Sequence, residues 1–252
     1  MPDFVPNDHP RAASLKIREK LEKGFDEGLV AKAGLFAHGR GEAFDYLLGE
    51  KTTKIAKETI EVASAFFLLA KHPVISVNGN VAALVPEELV RLSEVVDAPL
   101  EVNLFYRTPE RENLIAERLT QCGAKRILGL GPDRAEIEEL SHKRRFVDPA
   151  GIFIADLVFV PLEDGDRTEA LVKIGKSVIT VDLNPLSRTS QAATVSIVDN
   201  VMRALPLLVE AAKKLKQKPE DSLRSIVADF DNQKNLQESY KLILEGFTAS
   251  ED

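Results

Sequence analysis

The sequence predicts an α/β fold: a doubly wound, mainly parallel six-stranded sheet with helical additions before and after it. Three observations predict it. Short β-branched runs alternate with amphipathic segments from Val74 to Lys216, at a spacing of about 25 residues, which calls for parallel strands joined by right-handed crossovers. Two of the intervening segments open on proline, at Pro86 and Pro109, where the missing N–H is one of a helix's free donors anyway. The chain before Val74 and after Pro219 has helical periodicity and no strand pattern.

In order, residues 1–10 hold three prolines and read as an extended arm. Ser14–Lys23 is an amphipathic helix that Gly24 and Gly28 should break. Leu29–Phe36 is a short helix, and His38-Gly39-Arg40-Gly41 a glycine-flanked loop. Glu42–Leu48 and Thr52–Ala70 are helical, with Ala63–Ala70 apolar enough for the core or a subunit contact. Strands are expected at Val74–Val77, Leu100–Phe105, Arg126–Leu130, Leu157–Val160, Val178–Val181 and Thr194–Val198. Helices lie between them, including one from about Arg134 to His142, and Asp148–Ile154 is either a short helix or a loop. The strand sequence suits the Rossmann-like order 3-2-1-4-5-6, with its crevice between the first and fourth strands. The segments are then 1–73, helical; 74–217, the sheet; and 218–252, terminal helices, in one compact unit.

Composition narrows the function. The 252 residues are 44% hydrophobic and 29% charged, as in a soluble globular protein. A net charge of −7 argues against nucleic acid as the partner. The single cysteine, Cys122, permits no internal disulfide and reads as a small core residue. No apolar run reaches membrane-spanning length and the start is not a secretory signal, so a cytoplasmic location is expected.

The stretch from Ser177 to Asn200 carries the strongest chemistry. Two strands each deliver a carboxylate at their C-terminal ends, Asp182 and Asp199, with Asn184, Ser187, Arg188, Thr189 and Asn200 beside them. Ligands bind at that edge of an open parallel sheet, although both aspartates also suit turns and helix caps. The first strand ends in Asn78-Gly79-Asn80, at the expected switch point, where amides can bond hydroxyl or carboxylate groups. There is no G-x-G-x-x-G after that strand and no Walker loop, so any nucleotide phosphates must be held by arginines. Arg18, Arg40, Arg107, Arg111, Arg134 and Arg188 are the candidates, and Arg40 and Arg188 stand out because each lies in a Gly- or Ser/Thr-rich turn, for Arg188 the Ser-Arg-Thr-Ser turn, rather than on a helix face. Glu42 and Asp45 share a helix face and could hold an arginine or a hydrated magnesium. The histidines have no metal-ligand spacing, and no nucleophile motif is present.

Three stretches taken together, HGRGEAFDYLLGEKT ending at Thr52, NGNVAALVPEE ending at Glu88 and DLNPLSRTSQAATVSIVDN ending at Asn200, resemble the archaeal-type 4-phosphopantoate–β-alanine ligases, or phosphopantothenate synthetases. The resemblance runs over essentially the whole chain. It implies condensation of 4-phosphopantoate with β-alanine using ATP and magnesium, giving 4'-phosphopantothenate, AMP and pyrophosphate in coenzyme A biosynthesis, by a homodimer. It carries ATP contacts onto Arg18, Arg40, Asp182, Leu183, Asn184, Arg188, Thr189, Asp199 and Asn200. Position adds Asn78, Asn80, Asn103 and Arg107 as expected phosphopantoate contacts, Arg107 holding the phosphate. A noncatalytic nucleotide- or CoA-sensing module would use the same sheet edge, and AMP formation requiring both co-substrates separates the two.

Overall fold

A computed structural model describes Pro6, Asp8, His9 and residues 11–162 and 164–246. The expected extended arm therefore lies largely outside the described residues. The helices are α1 (Ala12–Asp26), α2 (Lys32–Leu47), α3 (Lys54–Leu69), α4 (Gly79–Leu84), α5 (Pro86–Val96), α6 (Pro109–Gln121), α7 (Gly165–Lys173), α8 (Arg188–Ala192), α9 (Val201–Leu215), α10 (Glu220–Ala228) and α11 (Asn232–Glu245). The strands are β1 (Pro73–Val77), β2 (Leu100–Val102), β3 (Ile127–Leu128), β4 (Ala135–Glu136), β5 (Phe146–Val147), β6 (Leu157–Phe159), β7 (Ser177–Val181) and β8 (Val195–Ile197). Six of them form one sheet in the order β3-β2-β1-β6-β7-β8, every pairing parallel. This is the expected Rossmann-like order, with β4 and β5 forming a separate antiparallel pair inserted before β6.

Alternation along the strands builds two cores. Ile75, Val77, Leu157, Phe159, Ile179 and Val181 face one cluster with α3, α5 and α9. Val74, Val158, Val160 and Val178 face the other, with Leu171 of α7 and with Ile137, Val147 and Ile152 around the β4–β5 pair. A period of two with both faces covered is what a doubly wound sheet requires. Ala63 and Phe67 belong to the main core, and Ala65 packs with Leu215 and Leu223, so these three residues are interior to the chain.

Four expectations need correction. His38-Gly39-Arg40-Gly41 is not a loop; it lies inside α2, which runs unbroken from Lys32 to Leu47. The glycines weaken the helix by roughly 0.5–1 kcal/mol each, offset by ionic contacts from Glu42 and Asp45. Gly24 does not end α1, because its bare Cα is what permits contact with Ala83. The segment from Arg134 to His142 is not a helix: Ala135 and Glu136 pair with Val147 and Phe146. Ile137 and Leu140 are buried beside them, so tertiary packing overrides the local pattern. The Ser-Arg-Thr-Ser turn is a short helix, α8, capped by the Ser187 hydroxyl accepting from the Ser190 N–H.

Among the described residues, no helix is long and apolar enough to cross a membrane.

Candidate active site

Because all six strands are parallel, Asn78, Asn103, Leu162, Asp182 and Asp199 follow strands on the same, C-terminal edge of the sheet. The strand order reverses between β1 and β6, and a cavity of about 230 Å3 opens there. Its walls include Gly34, Arg40, Asn80, Arg111, Arg144 and Asp164.

The backbone at this point is held very close. A Cβ on Gly79 would meet the Leu29 carbonyl oxygen at 2.1 Å, and one on Gly34 would meet Asn80 Oδ1 at 2.2 Å. Asn80 Nδ2 donates to the Gly34 carbonyl at 3.0 Å, tying α2 to the start of α4. Asn78 caps α4: its Oδ1 accepts from the Val81 N–H, and its Nδ2 donates to the carbonyls of Pro161 and Leu162. It therefore locks β1 to the loop after β6.

On the β7–β8 side, α2 crosses the loop ends. Asp182 accepts from the Asn184 N–H at 2.9 Å and from the Ser187 hydroxyl at 2.5 Å. Burial pushes the Asp182 carboxyl up, against those bonds and the charge of Arg40. Leu183 is buried with Phe44, Leu48 and Val198, and it lies beside Gly41. Asn184 Oδ1 accepts from the Leu186 N–H at 2.9 Å. Asp199 accepts from the Thr52 hydroxyl at 2.6 Å and from Arg203 Nη2 at 2.6 Å, and Asn200 Nδ2 donates to Asp45 at 2.8 Å. Arg203 also bonds Asp45, so one guanidinium serves two buried carboxylates. Burial opposes the charge of Arg203, but Asp45 and Asp199 outweigh it and hold its pKa above the ordinary value. Arg18 reaches α2 as well, donating from Nε to both oxygens of Glu42 at 3.0 Å. The two carboxylates singled out on this helix face each hold an arginine.

The structure thus brings Arg18, Arg40, Asp182, Leu183, Asp199 and Asn200 around one helix. Arg188 points elsewhere: it is exposed and clasps Glu169 through Nε at 3.0 Å and Nη2 at 2.7 Å. Thr189 is buried next to it in α8.

The loop after β2 does not bring its two expected contacts into the cavity. Asn103 is fully buried, with Nδ2 donating to the carbonyls of Arg144 and Phe146. Arg107 Nε lies 3.0 Å from Glu112, a carboxylate shared with Arg134, and its side chain lines a separate depression with Phe105 and Phe146. The cations that do line the cavity are Arg40, Arg111 and Arg144. Arg144 lies after a stretch assigned to a helix, so no sequence signal pointed to it. It is buried and bonds Asp164 Oδ2 at 2.9 Å, and burial pushes it down to about 10. His38, on α2, has its pKa lowered by burial.

A family profile described as phosphopantothenate/pantothenate synthetase matches residues 55–246. The chain belongs to that family. The 4-phosphopantoate–beta-alanine ligase of Thermococcus kodakarensis is 55% identical over 233 residues, covering 92% of this chain and 89% of that protein. The enzyme of the same name from Methanosarcina mazei is 51% identical over 241 residues, covering 96% of this chain and 94% of its own. The one from Thermococcus onnurineus is 52% identical over 233 residues, with 92% and 89% covered.

Proposed function

We propose that this chain is the ATP-dependent ligase that condenses 4-phosphopantoate with β-alanine to 4'-phosphopantothenate, AMP and pyrophosphate. The carrying observation is the position of Arg40, which lines the switch-point cavity and acts electrostatically on Asp182 across α2. One cation therefore faces both a small arginine-lined cavity and the turn expected to hold a nucleotide.

A carboxylate does not acylate an amine in water until it carries a leaving group. In the first step the acid's carboxylate oxygen bonds to the α-phosphorus of ATP and pyrophosphate departs. In the second, the β-alanine amine attacks the acyl carbon, AMP leaves, and the amine gives up its proton. Neither step needs an enzyme nucleophile; alignment and charge neutralisation supply the acceleration. Arg18, Arg40, Asp182, Leu183, Asn184, Arg188, Thr189, Asp199 and Asn200 are proposed to hold ATP. Asn78, Asn80 and Asn103 are proposed to shape the acid site, with Arg107 behind it. Among the described residues no group of three His, Cys, Asp or Glu side chains could cage a metal. Magnesium is accordingly proposed as the counter-ion of ATP, keeping most of its own waters.

The proposal includes a cytoplasmic homodimer. Phe36, Tyr106, Phe153 and Ile154 are exposed, which supports a further apolar contact, and a monomeric mass at micromolar concentration contradicts it. The function is tested by pyrophosphate release with ATP, 4-phosphopantoate and β-alanine, omitting each in turn. Release must require ATP and the acid, and amide product must require all three.

A further inference from the structure

We propose that Arg111 is the specificity-determining cation that receives the phosphate of the acid substrate, within the ligase reading above. Arg111 sits in the first turn of α6 and lines the cavity between α2, the start of α4 and the loop after β2. Its two terminal nitrogens each donate to a backbone carbonyl, Nη2 to Leu29 at 2.8 Å and Nη1 to Tyr106. Its Nε is buried with no hydrogen-bond partner. A guanidinium has five N–H donors, so these bonds leave most of its capacity unused while fixing its plane.

Its charge is also uncompensated. Among the described residues no carboxylate pairs with Arg111, and burial alone pulls its pKa down. The other arginines of this region differ. Arg107 and Arg134 share Glu112, each at 3.0 Å, and Arg144 has Asp164. Among the described residues, the cavity lining holds three arginines, Arg40, Arg111 and Arg144, and one carboxylate, Asp164, which Arg144 bonds. Three arginines on one small cavity suit an anionic ligand, and a phosphate monoester carries about two negative charges near neutrality.

The phosphate could belong to ATP or to the acid, and size and position favour the acid. The cavity of about 230 Å3 is below the range of about 300–1,000 Å3 common for drug-sized ligands. It opens at the switch point between β1 and β6, whereas the turn expected to hold ATP lies beyond β7. Two carbonyl bonds hold Arg111 in place before the ligand arrives, so little ordering is needed on binding.

The test compares kcat/KM for 4-phosphopantoate and for unphosphorylated pantoate in wild type, Arg111→Ala and Arg111→Lys, with ATP affinity measured separately. Wild type must first make product from the phosphorylated acid; if it does not, the ligase reading itself fails. Given that activity, Arg111→Ala should lower the preference for the phosphorylated acid at least 100-fold with ATP affinity unchanged. Arg111→Lys, which keeps the charge but loses the fork, should lower it about tenfold. Equal loss for both acids means that Arg111 is only a strut between residues 29 and 106, and overturns the proposal. Loss of ATP affinity with an unchanged acid preference assigns the cation to ATP and overturns it too. If Arg111→Ala does not fold, the ratio in Arg111→Lys decides.

Discussion

Replacing Arg203 by methionine removes the cation shared by Asp45 and Asp199 and keeps most of the stem. Both carboxylates are buried, at 4% and 1% exposure, and Arg203 bonds Asp45 from both terminal nitrogens and Asp199 from Nε and Nη2. Breaking a buried ion pair from one side costs about 3–5 kcal/mol, because the remaining charge is left unpaired. Arg203 keeps 26% of its side chain in solvent, so water can replace part of what is lost and the lower end applies, about 3 kcal/mol. For a chain of this size that is a fall in melting temperature of roughly 6–12 °C. Calorimetry of wild type, Arg203→Met and Arg203→Lys at one pH measures it, and the lysine variant should fall between the other two. ATP affinity should drop as well, since Asn200 is bonded to the same Asp45. A loss of less than about 3 °C in Arg203→Met would show that the two carboxylates do not depend on this guanidinium, and the account of the nucleotide side would be wrong.

Other expectations follow from the same geometry. Arg188→Ala should weaken ATP binding roughly 10- to 150-fold, the worth of a charge-assisted contact of about 1.5–3 kcal/mol. Glu169→Ala should instead tighten it by up to roughly fivefold, because an exposed ion pair of about 0–1 kcal/mol no longer competes for Arg188; calorimetric titration reads both, and equal affinities across the set would remove Arg188 from the site. Gly79→Ala forces a Cβ to 2.1 Å from the Leu29 carbonyl, so the backbone must shift; the acid's KM should rise, and an unchanged KM with unchanged stability would contradict the close packing described. Burial raises Glu101 to about 7, against hydrogen bonds from the Ile152 and Asp148 N–H groups. The folded state then holds this proton between about pH 4.5 and 7 while the unfolded chain releases it, so its contribution is present below pH 4.5 and lost as pH rises through 7. Denaturant titrations should show wild type losing about 3 kcal/mol relative to Glu101→Gln across that window; parallel curves would refute it.

The sheet was legible because its signal is local. β-branched runs mark each strand, and Pro86 and Pro109 mark helix starts, so order and handedness followed from topology rules. The β7–β8 turn was legible for the same reason, since strand, turn and cap residues are contiguous from Val178 to Asn200. What could not be read depends on contacts between distant segments. Arg107 was expected in the cavity because it leaves the strand next to Asn78, yet Glu112 draws it away. Arg111, close by in sequence, carries no local mark of difference; only its contact with Leu29 across the fold separates it. Glu101 was hidden inside a strand pattern, although its carboxylate holds the turn at Asp148–Ile152.

The continuity of α2 through His38–Gly41 has a functional consequence. As a glycine-flanked loop, His38–Gly41 would be an adjustable flap over a nucleotide. As part of a continuous helix of 16 residues, it is a rigid bar about 24 Å long. Gly34, near one end, carries the Asn80 contact beside the acid cavity; Asp45, near the other, carries Asn200 and Arg203 beside the nucleotide turn. Arg40 lies between them. Acyl adenylation requires a carboxylate of one substrate and the α-phosphorus of the other to approach to about 3–3.5 Å. An element bonded at both sites holds their separation more tightly than two independent loops can. Gly34 serves the close approach of the bar to Asn80, whereas a Cβ on Gly41 would make only ordinary contact with Leu183 and one on Gly39 would meet nothing within 4 Å.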